Sequence, residues 1–307
     1  MPLSVQAETS TLLTIPIDNQ ENSMNLSRRQ MLKLGAGAAA AWTAGTGLVR
    51  SCAAKTTGKI PIGLELWSVR HQCENDLPTV LRTVAEMGYE TVELAHSYYG
   101  YEAAAWRKLL EKNGLKSCGM HMGLRALEGD AFDKTVEMHK VIGSPYLIIA
   151  SLPKKNLASV QAIVATAKHF NELSERLEQH GMKIGYHCHG GDFAEVDGRT
   201  AWEVFGENTK ADVLLQLDIG NCLGGGGDPI AMLKKFPGRS VTLHLKDHGG
   251  KPGAVFGEGE VNWKEVFQIC ETIGGTKHYI IEEEGRKGPE ALEAVRRAIR
   301  NFRKMGK

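Results

Sequence analysis

From Ile60 to the C-terminus this chain alternates, without exception, short β-rich runs with longer stretches of helical periodicity. The β-rich runs are Ile60–Trp67, Glu90–Leu94, Lys116–His121, Tyr146–Ala150, Lys183–His187, Val213–Asp218, Ser240–Lys246 and Tyr279–Glu282. Each precedes a helical pattern: Leu77–Met87, Glu102–Asn113, Phe132–Ile142, Leu157–His180, Arg199–Phe205, Pro229–Phe236, Trp263–Ile273 and Pro289–Lys304. Strands joined through helices lie parallel, and eight such units close a (β/α)8 TIM barrel, an α/β fold of roughly 250 residues. Gly88, Gly114, Gly143, Gly181 and Gly274 stand where helices stop, the position that calls for a left-handed residue. An open doubly wound sheet would need a glycine-rich phosphate turn after its first strand. The stretch Leu66–Arg70 contains no glycine.

The first 57 residues have another character. Ser27–Lys33 reads S-R-R-Q-M-L-K, and a weakly apolar Ala/Gly-rich run, Leu34–Val49, follows. A basic pair ahead of such a run is the layout of a twin-arginine export signal, which carries folded proteins. The run is too short and glycine-rich to span a bilayer well. The expectation is therefore an extension and signal region over 1–57, one catalytic domain over 58–307, and a periplasmic or otherwise exported protein served by the twin-arginine machinery. Lipid anchoring at Cys52 and release by cleavage near Ala53–Ala54 stand as alternatives. The six cysteines show no C-x-x-C spacing, so neither a zinc knuckle nor a disulfide framework is indicated. The net charge of +1 gives no basic surface for nucleic acid. A homo-oligomer is left open.

In a TIM barrel the chemistry sits at the C-terminal ends of the strands, where polar residues are otherwise expensive to bury. The polar residues there are Glu65, Glu93 and His96, His121, His187 and His189, Gln216 and Asp218, His244 and Lys246, and Glu282–Glu284. Strand periodicity puts His187 with His189, His244 with Lys246, and Glu282 with Glu284 on common faces. Four consecutive strands ending in His, Asp or Glu suit one divalent metal ion: Mn, Co, Zn or Fe, with Mg less favoured by imidazole. Glu283 and Glu284 also read as solvated residues, and Gly224–Gly227 as a flexible rim loop.

The segments Y-H-C-H (Tyr186–His189), L-D-I-G-N (Leu217–Asn221), H-L-K-D (His244–Asp247), G-E-G-E-V-N-W (Gly257–Trp263) and I-I-E-E-E (Ile280–Glu284) resemble the xylose-isomerase-like sugar phosphate isomerase/epimerase superfamily. L-E-L-W-S-V-R (Leu64–Arg70) and G-Y-E-T-V-E-L (Gly88–Leu94) fit it too. The resemblance implies a divalent ion held by His187 or His189, Asp218, His244 and Glu282. From their places at the strand ends, Glu282, Lys246, Glu284 and His121 are the catalytic candidates, and Glu65, Trp67, Glu93 and Asn221 the substrate-binding ones. Two positions depart from the pattern: His187 stands where epimerase members carry Glu, and Asn221 where many carry His. The expected chemistry is α-proton removal from a sugar or keto-sugar through an enediolate-type intermediate, giving isomerisation or epimerisation. The alternative is a dehydratase, lyase or hydrolase acting on 3-keto-glycosides or inososes. An apurinic endonuclease-like protein, which would want three metals and a basic groove, and a non-catalytic carbohydrate-binding barrel are the remaining classes weighed.

Overall fold

A computed structural model describes residues 59–307. The signal region, Cys52 and the domain boundary at residue 57 lie outside the described residues. Eight parallel strands form the barrel: β1 Ile62–Glu65, β2 Thr91–Ala95, β3 Lys116–Met122, β4 Tyr146–Ile149, β5 Lys183–His187, β6 Leu214–Gln216, β7 Thr242–Leu245 and β8 His278–Ile281. Their order is β6-β5-β4-β3-β2-β1-β8-β7. Seven neighbouring pairs share at least three register positions each. The eighth, β6 to β7, is joined by a single parallel bridge, Asp218 to His244, supported by His244 N donating to Leu217 O at 3.0 Å. The barrel is therefore nearly closed, with its seam at two of the candidate ligands.

The helices are α1 Arg70–Met87, α2 Ala103–Lys112, α3 Ala131–Ile142, α4 Val160–Glu178, α5 Ala201–Asn208, α6 Ile219–Gly224, α7 Pro229–Lys235, α8 Trp263–Ile269 and α9 Pro289–Lys304. Helix α1 begins well before the expected Leu77, but it breaks at Asp76 (φ −156°, ψ 77°) and restarts with Pro78 in its new first turn. Asp76 Oδ1 accepts from Thr79 N at 3.1 Å, and proline loses no bond at that position. The short α6 and a two-stranded hairpin (Glu195–Val196 with Arg199–Thr200) carry too few residues for periodicity to reveal. Gly88, Gly114, Gly143 and Gly181 all take positive φ as expected. Gly274 does not: α8 runs on through a π turn, Cys270–Gly274, and Gly275 (φ 70°) makes the reversal.

The strand period of two divides the barrel interior into layers. The lower layer is small or apolar: Gly63, Thr91, Ile148, Gly185, Leu214 and Thr242. A Cβ on Gly185 would lie 2.6 Å from Ile148 Cδ1 and 2.9 Å from Leu214 Cβ, so a side chain there would push the neighbouring strand aside. Two residues further along the same faces come Glu65, Glu93, His187, Gln216 and His244, all buried. The outward faces pack on the helices through Trp106, Phe170, Phe205 and Phe302. At about 25 cal/mol per Å² of apolar surface buried, that outer shell offsets the cost of a polar interior.

Candidate active site

His244, on β7, is the centre of the polar layer. Its Nε2 lies 2.7 Å from Glu93 Oε2 and its Nδ1 2.9 Å from Glu282 Oε2, with Asp218 Oδ2 at 3.8 Å. Burial alone would lower its pKa, but the Glu93 and Glu282 carboxylates raise it to about 10. The same charges act in reverse. Burial would raise Glu93, yet His121 and His244 draw it down to about 2. Glu282 is likewise held well below the carboxylate range by His244 and Lys246 against its burial. His187 is driven well down by burial and by the neighbouring His244. His121 is lowered, first by burial. The imidazoles pack closely: His121 stacks on His244 at 5.1 Å, and His187 lies 4.6 Å from each.

Two carboxylates in this layer have buried oxygens without a hydrogen-bond partner. Asp218 caps α6, its Oδ1 accepting from Asn221 N at 2.7 Å, but its Oδ2 is buried and unbonded. Burial, opposed by Lys246, raises its pKa to about 7. Neither oxygen of Glu65 has a hydrogen bond; His121 Nδ1, at 3.5 Å, is too far. Glu65 is raised well above its ordinary value by burial and by Glu93 and Glu282.

His187, Asp218, His244 and Glu282 each offer one donor atom, all within 4.8 Å of one another. Two imidazoles and two carboxylates, one with an orphaned buried oxygen aimed inward, fit a borderline divalent cation. His189 is not among them. The strand ends at His187, so its alternation ends there too; His189 is exposed and heads a 3-10 turn, its N–H donating to Asp192 Oδ2 at 2.7 Å. Of the two histidines on this strand, His187 is the one inside the cluster.

The other candidates divide between floor and rim. Glu65 and Glu93 lie beneath the cluster, fully buried and not among the lining residues of the mouth. The mouth is a cleft of about 150 Å³ lined by Trp67, His96, His121, Ala150, Ser151, His187, His189, Glu282 and Glu284. Lys246 and Glu284 pair at the rim. Trp67 is half-buried under Arg70, whose guanidinium sits 4.1 Å above its ring. Asn221 Nδ2 donates to Cys188 O at 3.1 Å, with His187 Nε2 at 3.5 Å. A larger cleft of about 730 Å³ lies on the outside beside α8 and holds none of these residues.

Glu283 is not solvated. It is buried, accepts from Phe256 N at 2.7 Å and pairs with Arg286 at 2.8 Å, tying the loop after β7 to β8. Nor is Gly224–Gly227 a loose rim: a Cβ on Gly225 would fall 2.3 Å from Gly190 O, so the loops after β5 and β6 meet backbone to backbone. Gln216 went unassigned in the sequence. It is fully buried, takes His121 Nε2 (2.6 Å) and His187 Nδ1 (3.0 Å) on its oxygen, and gives its amide to Glu93 Oε1 (2.8 Å) and Thr242 Oγ1 (2.9 Å). An amide inside an otherwise apolar strand, L-L-Q-L-D, was the available signal.

The family model described as xylose isomerase-like TIM barrel matches residues 81–305. The chain belongs to that family. With membership stands the expectation of an enzyme of the sugar isomerase/epimerase superfamily. Among the family's relatives, the rhizopine catabolism protein MocC of Rhizobium meliloti is 23% identical over 223 residues, covering 66% of this chain and 67% of its own. The inosose dehydratase of Erwinia tasmaniensis is 26% identical over 256 residues, covering 69% and 83%. A crystal structure of a sugar phosphate isomerase/epimerase from Parabacteroides distasonis superposes with a TM-score of 0.70 at 24% identity, over 80% of this chain and 98% of that one. It shares this fold.

Proposed function

We propose that this xylose isomerase-like barrel removes an α-proton from a keto-sugar or cyclic polyol ketone and expels a β-oxygen substituent, acting as a dehydratase or lyase. The asymmetry of the mouth carries this reading. Both of its carboxylates, Glu282 and Glu284, come from the end of β8, whereas His96, His121 and His189 line the cleft from other strands. Epimerisation needs a base on each face of the substrate carbon. Elimination needs one base and one proton donor. The inosose dehydratase relative supports the same direction.

His187, Asp218, His244 and Glu282 would hold one divalent ion (Mn, Co, Zn or Mg), which supplies Lewis-acid stabilisation of charge developing on a carbonyl oxygen. Lys246, whose charge is reinforced by Glu282, Asp218 and Glu284 against its burial, places a fixed cation beside the same oxygen. Glu282, held anionic and facing the cleft, accepts the α-proton. The C–H pair becomes the new C=C bond, the β C–O bond breaks, and an imidazole of the histidine wall protonates the leaving oxygen. Trp67 offers a flat surface for the sugar ring.

Incubation with inososes and 3-keto-glucosides in deuterated water tests the reaction. Loss of water or aglycone, with an enone absorbing in the ultraviolet, is expected. Recovery of the epimer with solvent deuterium at the α-carbon, and no elimination, would overturn the proposal in favour of an epimerase. We propose further that the enzyme is exported folded. Replacing Arg28 and Arg29 by Lys should then retain it in the cytoplasmic fraction, and unchanged fractionation would count against export by this route.

A further inference from the structure

The floor of the barrel contains one carboxylate, Glu93, whose place decides which ring nitrogens of its neighbours face downward. Both oxygens of Glu93 face nitrogens of the layer above, Oε2 at His244 Nε2 and Oε1 at the Gln216 amide. His244 must therefore present Nε2–H to Glu93 Oε2, 2.7 Å away. Nδ1 is the nitrogen directed at Glu282 and Asp218, so it is the one a cation in the cluster would take, displacing the proton it shares with Glu282.

The second consequence passes through Gln216. Its amide could stand either way round, but the reverse setting would place its oxygen against the Glu93 carboxylate, acceptor on acceptor. The NH2 group therefore faces Glu93 Oε1 at 2.8 Å and Thr242 Oγ1 at 2.9 Å. The Gln216 oxygen is then turned to the other side, where it can only accept. His187 must carry its proton on Nδ1, 3.0 Å from that oxygen, which frees Nε2 on the side of Asn221. His121 is bound to the same oxygen through Nε2–H at 2.6 Å.

We infer that Glu93 is a positioning residue that sets the tautomers of both histidines offered to the cation, His244 directly and His187 through the Gln216 amide, so that the two coordinate through opposite ring nitrogens. The inference rests on the reading of His187, Asp218, His244 and Glu282 as the cation site. A carboxylate behind a ligating imidazole is worth 10- to 100-fold in metal affinity when removed. Here one carboxylate serves two imidazoles on strands that are not neighbours in the sheet, β5 and β7.

The test uses the full chain with 15N-labelled histidine, titrated with zinc ion alone. Long-range 15N–1H correlation should show two zinc-shifted ring nitrogens: Nε2 of the residue lost in His187→Gln, and Nδ1 of the residue lost in His244→Gln. Glu93→Gln should weaken zinc 10- to 100-fold in a chelator competition and erase the Nδ1 signature, with unchanged circular dichroism. Gln216→Leu should disturb the His187 pattern and spare that of His244. Coordination of both histidines through the same nitrogen, or a Glu93→Gln protein with unaltered affinity and pattern, would overturn the inference alone. A folded wild type that binds no zinc, manganese or cobalt ion would overturn the cation site and the inference with it.

Discussion

At the scale of single residues, burial and partners separate side chains that the sequence presents as equals. His187 and His189 are two apart, yet one is inside the four-donor cluster and the other is exposed at the head of a 3-10 turn. His244→Ala should therefore lose the ion and at least a thousandfold in kcat/KM, while His189→Ala keeps the ion, as metal analysis of the two purified variants would establish. Glu283 carries a different expectation. Its removal leaves Phe256 N without an acceptor in a buried setting and Arg286 with only Ala254 O, a loss of about 2–3 kcal/mol in urea denaturation. A variant as stable as the parent would show that the loop after β7 needs no such anchor. The sequence could not separate Glu282, Glu283 and Glu284, because three consecutive acids past a strand end obey no period.

At the scale of elements, the alternation of strands and helices made the barrel legible, and the helix-ending glycines placed four of its turns. The misses are local. Helix α1 starts early because Arg70–Asn75 lacks an apolar period while still continuing the turn begun at Leu66–Val69. The Gly224–Gly227 run was misread because glycine serves flexibility and close approach alike. Contact with Gly190 decides the matter: Gly225→Ala should cost about 1–3 kcal/mol and lower ion affinity by displacing α6 and the Asp218 it carries. A fully stable Gly225→Ala protein with native ion binding would mean that this meeting of loops is slack. The strand-end acids and imidazoles were visible as a set, because polar residues in barrel strands are conspicuous. Gln216 escaped, since an uncharged amide has no chemistry of its own until its neighbours are known.

At the scale of the whole molecule, stability should depend on both acid and ion. His139 is fully buried, bonded to Tyr98 through Nε2 at 3.0 Å, and lacks a partner at Nδ1. Burial lowers its pKa to about 4. The unfolded chain takes up this proton near pH 6.5 and the folded one does not, so stability is full above that pH and falls as the pH drops from 6.5 toward 4, by on the order of 3 kcal/mol. His139→Gln keeps a polar contact for Tyr98 and cannot titrate; its urea midpoint should fall less between pH 7 and 4.5 than that of the parent. Equal slopes would remove His139 from the account. A divalent ion at about a thousand times its dissociation constant adds about 4 kcal/mol, which for a domain of this size raises the melting temperature by roughly 8–16 °C.

The weakest joint of the ring bears on which ions the protein accepts. Asp218 and His244 face each other across the junction that has a single bridge, flanked by the backbone bonds His244 N to Leu217 O and Leu215 N to Arg239 O, so fewer ladder positions fix the distance between these two donors than at the other seven junctions. A cage cut from rigid walls discriminates by ionic radius; one closed across a sparsely bridged seam does so less. Manganese, cobalt, zinc and magnesium ions should therefore differ in affinity by the chemistry of imidazole and carboxylate more than by size, and the enzyme should be tolerant of its metal wherever it works.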